Sequence, residues 1–552
     1  MKKNWWNPAA ERSEVLDMKT IYYNACVYTG TLPLQEAFGV EDDHFFFVGT
    51  SEEAQSQSAD SFHDLHGAFV CAGFNDSHMH LLNFGRTLTA APLHMHTESL
   101  EDMIACLKAS TPGPGGWISG RGWNQDYFAD EHRMPTRWDL DKVSRSHPVC
   151  AVRACGHALA VNSKALELLH ITADTPQPEG GQIVLENGVP NGIFFDNAMG
   201  LVYSAFPAPS KEDLKQMILS ACRALNTYGI TSVQSDDYCV FRNVPWQQVN
   251  EAYRELEEAG ELTVRVYEQA NFTDVSALSA FLESGNCTGT GTDFFRIGPL
   301  KMLGDGALGA GTAFLSRPYA DDPTTRGLSV FSQTEFDDLI ACANANGMQC
   351  AIHCIGDACL DMVLSGFEKA LAEHPRTDHR HGIVHCQITR PDQLRQVAER
   401  NLHVYAQSIF LDYDIHMVRQ RVGEKLAQTS YSWKTLMDLG VTVSNGSDCP
   451  VELPDVLAGI QCAVTRTDLN ASVPPYLPRE AFTVQEALDS FTAAGAYASF
   501  EENRKGRIRP GMLADFVVLE KNPFQEFPSA LRNIAILETH LGGRTVYRKT
   551  DR

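Results

Sequence analysis

The stretch Phe69-Val70-Cys71-Ala72-Gly73-Phe74, followed at once by Asn75-Asp76-Ser77-His78-Met79-His80, decides how the chain folds. The apolar run of residues 69–74 reads as a β-strand. Beyond it, His78 and His80 are spaced i, i+2 on an extended segment. Side chains alternate along such a segment, so both imidazoles point the same way and can grip one metal ion. Taken alone, a His-x-His pair does not define a site. A second pair, His94 and His96, follows Pro92 without the apolar lead-in and reads as surface or structural.

Working outward, seven more apolar runs have strand character: 230–234, 262–269, 295–303, 349–354, 382–386, 402–406 and 441–445. Amphipathic helical stretches lie between most of them, for example 335–346 and 391–400. Strands alternating with helices in this number predict an α/β fold, a (β/α)8 TIM-type barrel. Strand C-termini of such a barrel share one mouth. The other candidate residues fall there: Lys301 in the fourth run, His353 ending the fifth, His385 ending the sixth, and Asp448 just after the eighth. Each has a bland reading by itself. A histidine near a strand end is often a satisfied polar group, and a lysine in an apolar strand can snorkel or pair with a carboxylate. Jointly they point to a metal centre.

About 140 residues separate the first run from the second, far beyond an ordinary βα loop. An inserted subdomain is therefore expected over 91–225, covering the active site, with the barrel itself in 68–90 and 226–499. Strand patterns also occur at both ends, in Ile21-Tyr22-Tyr23, Phe45-Phe46-Phe47-Val48, Phe516-Val517-Val518-Leu519 and Thr545-Val546-Tyr547. They suggest one small β-sandwich domain built from both termini, 18–67 and 500–549.

The net charge of −24 argues against nucleic acid and anionic membrane surfaces as partners. No run of 18 apolar residues suggests a membrane span. The start, Met1-Lys2-Lys3-Asn4-Trp5-Trp6, is basic but lacks the apolar stretch of a secretory signal. The 15 cysteines are scattered, with no Cys-x-x-Cys, which reads as free thiols in a reducing, cytoplasmic setting. A homodimer is the base-rate expectation.

The order and setting of these residues resemble the amidohydrolase superfamily. More narrowly, Gly73-Phe74-Asn75-Asp76-Ser77-His78-Met79-His80, Lys301-x-x-x-Asp305-Gly306-Ala307-Leu308-Gly309 and Gly506-x-x-x-Pro510-Gly511-x-x-Ala514-Asp515 resemble its branch of N-substituted formamide deformylase-like hydrolases. The resemblance implies that His78 and His80 bind the more buried of two zinc ions. It implies a carbamylated Lys301 bridging both ions, with His353 and His385 on the second. Asp448 would touch the first ion and shuttle the proton. The branch usually has an acidic residue before the sixth-strand histidine, where this chain has Val384. His379 and His381 lie nearby, but His381 precedes the strand proper, which leaves His385 as the ligand. In the insertion, Trp123 of Gly122-Trp123 is a candidate to stack on substrate, and His157 of Gly156-His157 a candidate donor to it. Packing is the alternative for each. Asp305 is a further candidate, to meet substrate, to orient ligands or to cap a helix start.

The activity so implied is hydrolysis of a C–N bond, amide or N-formyl, in a small molecule by metal-activated water. The same centre would also suit deamination, ester hydrolysis or decarboxylation. A binding protein without turnover is the remaining class, against which the complete ligand set argues.

Overall fold

The computed structural model describes residues 18–550 apart from 97, 155–157, 179 and 242. Eight strands form one sheet whose spatial order follows the sequence. They are numbered β1 (Phe74–Met79), β2 (Ile230–Ser235), β3 (Arg265–Asn271), β4 (Phe295–Leu303), β5 (Cys350–Cys354), β6 (Gly382–His385), β7 (His403–Ala406) and β8 (Val443–Asn445). Every neighbouring pair is parallel. In β1, β2, β5, β6, β7 and β8 every residue is buried, as befits strands covered on both faces. Helices Gln333–Ala345 and Pro391–Glu399 occupy the two amphipathic stretches. The first opens on Ser332, whose hydroxyl and Glu335 close a capping box.

The first and last strands meet at their C-terminal ends. The Asp448 N–H donates to the His78 carbonyl and the His80 N–H to the Cys449 carbonyl, both at 2.8 Å. Gly446 sits in this seam. A Cβ there would stand 2.6 Å from both Asp76 Oδ1 and the His78 nitrogen, so the approach needs glycine. The sheet thus forms a nearly closed parallel barrel of the TIM type.

The reading of residues 69–74 as the first barrel strand is corrected. Phe69–Ala72 instead pairs with Cys26–Val27 on one side and Phe516–Leu519 on the other. That five-stranded sheet continues through Ile536–Leu541 and Arg544–Arg548. The exchange of partners falls between consecutive residues: the Gly73 N–H donates to the Asp515 carbonyl, the Phe74 N–H to the Gly229 carbonyl. An unbroken apolar run carries no mark of such a change.

A four-stranded sheet of His44–Gly49, Ala37–Glu41, Lys19–Tyr23 and Ser61–Asp64 lies in the same unit. Tyr22, Phe38 and Phe45 of this sheet share one apolar cluster with Val70, Phe516 and Val518 of the five-stranded sheet. A buried ion pair ties the C-terminal segment to the barrel. Arg265, opening β3, donates to Asp515 through Nε at 2.7 Å and Nη2 at 3.0 Å. Asp515 also accepts the Gly542 N–H at 2.8 Å.

Leu82–Ala221 with Val240–Tyr253 form a second compact unit. Its six-stranded sheet runs Gly181–Glu186, Val189–Asp196, Ala158–Val161, Val149–Arg153, Ile118–Trp123, Ala91–Pro92. Trp123 is 0% exposed and packs with Phe128, Leu140 and Val149. This is the packing arrangement given as the alternative to stacking on substrate. His157 lies outside the described residues. Among the described residues, no helix is long and apolar enough to cross a membrane, and the cysteines are all free.

Candidate metal centre

The barrel brings His78, His80 and Asp448 together. Asp448 Oδ1 lies 3.4 Å from His78 Nε2 and 3.1 Å from His80 Nε2. The other ring nitrogens are committed elsewhere. His78 Nδ1 is 2.7 Å from Gln269 Oε1, and His80 Nδ1 is 3.0 Å from the Asp236 carbonyl. The Gln269 amide is oriented by its own NH2, which donates to the Ser77 carbonyl at 3.2 Å. Facing acceptors, both Nδ1 atoms carry a proton, which leaves both Nε2 atoms directed at Asp448 and able to hold a cation shared with it.

His353 and His385 follow the same rule. His385 Nδ1 donates to Gln407 Oε1 at 2.7 Å, and the Gln407 NH2 donates to the Tyr405 carbonyl at 3.0 Å. His353 Nε2 donates to the Gly306 carbonyl at 3.2 Å. This leaves His385 Nε2 and His353 Nδ1 as lone-pair atoms only 2.9 Å apart. Two nitrogens each about 2.0–2.1 Å from one zinc ion would stand roughly 3 Å apart, so the spacing fits a shared cation. His385 and Asp448 both hold left-handed backbone, with φ of 72° and 57°. Such conformations cost energy and persist where the surroundings over-determine them.

Electrostatics favour lone pairs at three of the four histidines. Burial first, then the Lys301 charge, lowers the His353 pKa to about 3. Burial, aided by Lys301, also holds His78 and His385 well below the usual imidazole value. His80 differs. Burial opposes its charge, but the bonds to Asp448 and Cys239 and the fields of Asp448 and Asp236 outweigh it and raise the pKa well above usual. A field that favours a proton at Nε2 favours a metal cation there too.

Lys301 is 2% exposed, and its Nζ lies 3.6 Å from Asp236 Oδ2. Asp305, in contrast, takes backbone N–H bonds from Phe314, Ile355 and Gly356 at 2.8–3.0 Å and is 0% exposed. It sits under His353, 3.4 Å from Nε2, at the start of helix Asp357–Glu373. These bonds agree with the alternatives of orienting a ligand or capping the helix start. His381 uses both ring nitrogens, on the Cys350 N–H and Asn344 Oδ1, and His379 bonds the Arg400 carbonyl. Neither is drawn into the cluster. His96 pairs with Asp102 at 3.0 Å near the surface, and the His94 side chain lies outside the described residues.

Sequence reasoning missed Gln269, Gln407 and Asp236. All three lie at or just beyond the C-terminal end of a barrel strand, a position shared with the candidate ligands, but an amide there carries no ligand chemistry to single it out. Removing such an orienting partner typically costs 10–100-fold in metal affinity, and Gln407→Ala is expected to weaken retention by about that much. Competition with a chromogenic chelator measures it; unchanged affinity would mean that His385 is oriented without the amide.

A barrel with histidines and a carboxylate at its strand ends defines a class, the metal-dependent hydrolases. A model described as the amidohydrolase family matches residues 62–547, and the chain belongs to that family. It is 32% identical over 542 residues to YtcJ of Bacillus subtilis (strain 168), spanning 97% of this chain and 100% of that protein. It is 26% identical over 556 residues to the N-substituted formamide deformylase of Arthrobacter pascens, spanning 98% and 99%. The crystal structure of an uncharacterized metal-dependent hydrolase from Pyrococcus furiosus superposes with a TM-score of 0.77 at 28% identity, covering 92% and 100%. The protein is a hydrolase of this family, and its fold and donor set suit a divalent metal.

Proposed function

We propose that the chain hydrolyses the C–N bond of an amide or N-formyl group in a small molecule, at a centre of two divalent ions, zinc first among them. The ligands are His78, His80, Lys301, His353, His385 and Asp448. The observation that carries this reading is the set of inward lone pairs, each fixed by a hydrogen bond on the opposite ring nitrogen. When bound, the ions polarise the scissile carbonyl and make water nucleophilic near neutral pH.

The chain's own groups supply the rest. Asp448, turned toward both His78 and His80, takes the proton of the attacking water and returns it to the leaving nitrogen. Lys301 enters as its carbamate. A buried ammonium would repel the ions, whereas addition of carbon dioxide to the amine, with loss of a proton, gives an anion of the required sign. Gln269 and Gln407 hold the imidazoles in register. An N-substituted formamide is the first substrate class to try, because a relative aligned over nearly the whole chain carries that activity in its name.

The test is a panel of formamides, amides, lactams and esters, run on protein of measured metal content before and after chelation. Formamide or amide turnover that falls with the metal and returns with zinc is expected. Turnover indifferent to chelation, or confined to esters, would reject the reading.

A further inference from the structure

His80 belongs to two groups of potential ligands that overlap nowhere else. One is His78, His80 and Asp448; the other is His80, Asp236 and Cys239, with ligand atoms all within 4.8 Å of one another. Cys239 Sγ lies 3.5 Å from Asp236 Oδ1. Cys239 follows β2 and is the sole exposed cysteine among the described residues. The other described thiols are buried or half-buried, most of them within the barrel and the cores.

We infer that Cys239, Asp236 and His80 form an accessory site for a soft divalent ion, cadmium or excess zinc. A thiolate beside an imidazole and a carboxylate selects thiophilic metals over magnesium or calcium. In binding, the Cys239 S–H bond breaks, its proton leaves to solvent, and a sulfur–metal bond forms. The chemistry needs no oxidant and changes no oxidation state.

The two ligand groups compete. His80 Nδ1 is committed to the Asp236 carbonyl, so Nε2 offers the ring's one lone pair. One lone pair serves one ion. An ion held by Cys239 and Asp236 therefore draws His80 away from His78 and Asp448. Asp236 is also the carboxylate beside Lys301 Nζ, so the same event alters the surroundings of Lys301. The accessory site acts as an inhibitory metal sensor at the mouth of the barrel. This competition rests on the function proposed above, but the binding of a soft ion does not.

Cadmium titration of the zinc-loaded protein tests it with two readouts. Wild type should develop thiolate-to-cadmium charge-transfer absorption with one added equivalent and lose activity at least tenfold in parallel. Cys239→Ser should lack that absorption and resist the inhibition, both read relative to the variant's own zinc content and basal turnover before cadmium is added. The same absorption in Cys239→Ser, or none in wild type, would overturn the site. Absorption lost in Cys239→Ser while inhibition persists would overturn the competition for His80. If no substrate is turned over, the proposed function fails, and the absorption still decides the accessory site.

Discussion

Asp448→Asn is expected to lower amide turnover by about 10²–10⁴-fold, the range that a positioned proton carrier contributes. Asparagine keeps the shape of the side chain and one oxygen directed at His78 and His80. It cannot accept the proton of the attacking water. The loss should therefore appear in kcat, with KM little changed and metal content largely retained, because four imidazoles and Lys301 remain. A rate equal to wild type would remove Asp448 from the mechanism. A parallel loss of metal and activity would instead assign it to holding the ion alone.

The second large effect lies far from the chemistry. Asp515→Ala is expected to destabilise the protein by about 3–5 kcal/mol, the usual cost of stranding one member of a buried ion pair. The stranded group is the Arg265 guanidinium, 4% exposed at its side chain and bonded twice to the lost carboxylate. The Gly542 N–H loses its acceptor too. Removing both charges, as in Asp515→Ala with Arg265→Met, should recover a good part of the loss. Denaturant unfolding of the single and double variants measures this. Equal stability of Asp515→Ala and wild type would show that water replaces the carboxylate at no cost.

The placement of the candidate residues was largely legible in the sequence because strand order is one-dimensional. Each of His353 and His385 closes an apolar run, and strand order alone sends such residues to one mouth. Asp448 and Lys301 follow from the same logic. The orienting amides escaped because glutamine at a strand end has no chemistry of its own; Gln269 and Gln407 matter through the nitrogen that each fixes. Asp515 was visible only as part of a motif. Its reason, Arg265, lies 250 residues away. The packing of Trp123 was not legible, because its burial depends on strands that only the fold brings together. The break at Gly73 was invisible for the same reason: hydrogen-bond partners change there, and hydrophobicity does not.

The seam between β1 and β8 has a bearing on biogenesis. His80 and Asp448 are 368 residues apart, yet their backbones are stitched within hydrogen-bonding distance. On a ribosome adding roughly 5–20 residues each second, the histidine pair is exposed for many seconds before its carboxylate is made. Until then a nascent chain offers only a two-nitrogen stub to passing ions. Under the ligand set proposed above, full affinity for an ion would arise only once Asp448 and the closing strand are in place. A chain truncated before Asp448 would then retain the two imidazoles but lack the carboxylate 368 residues on.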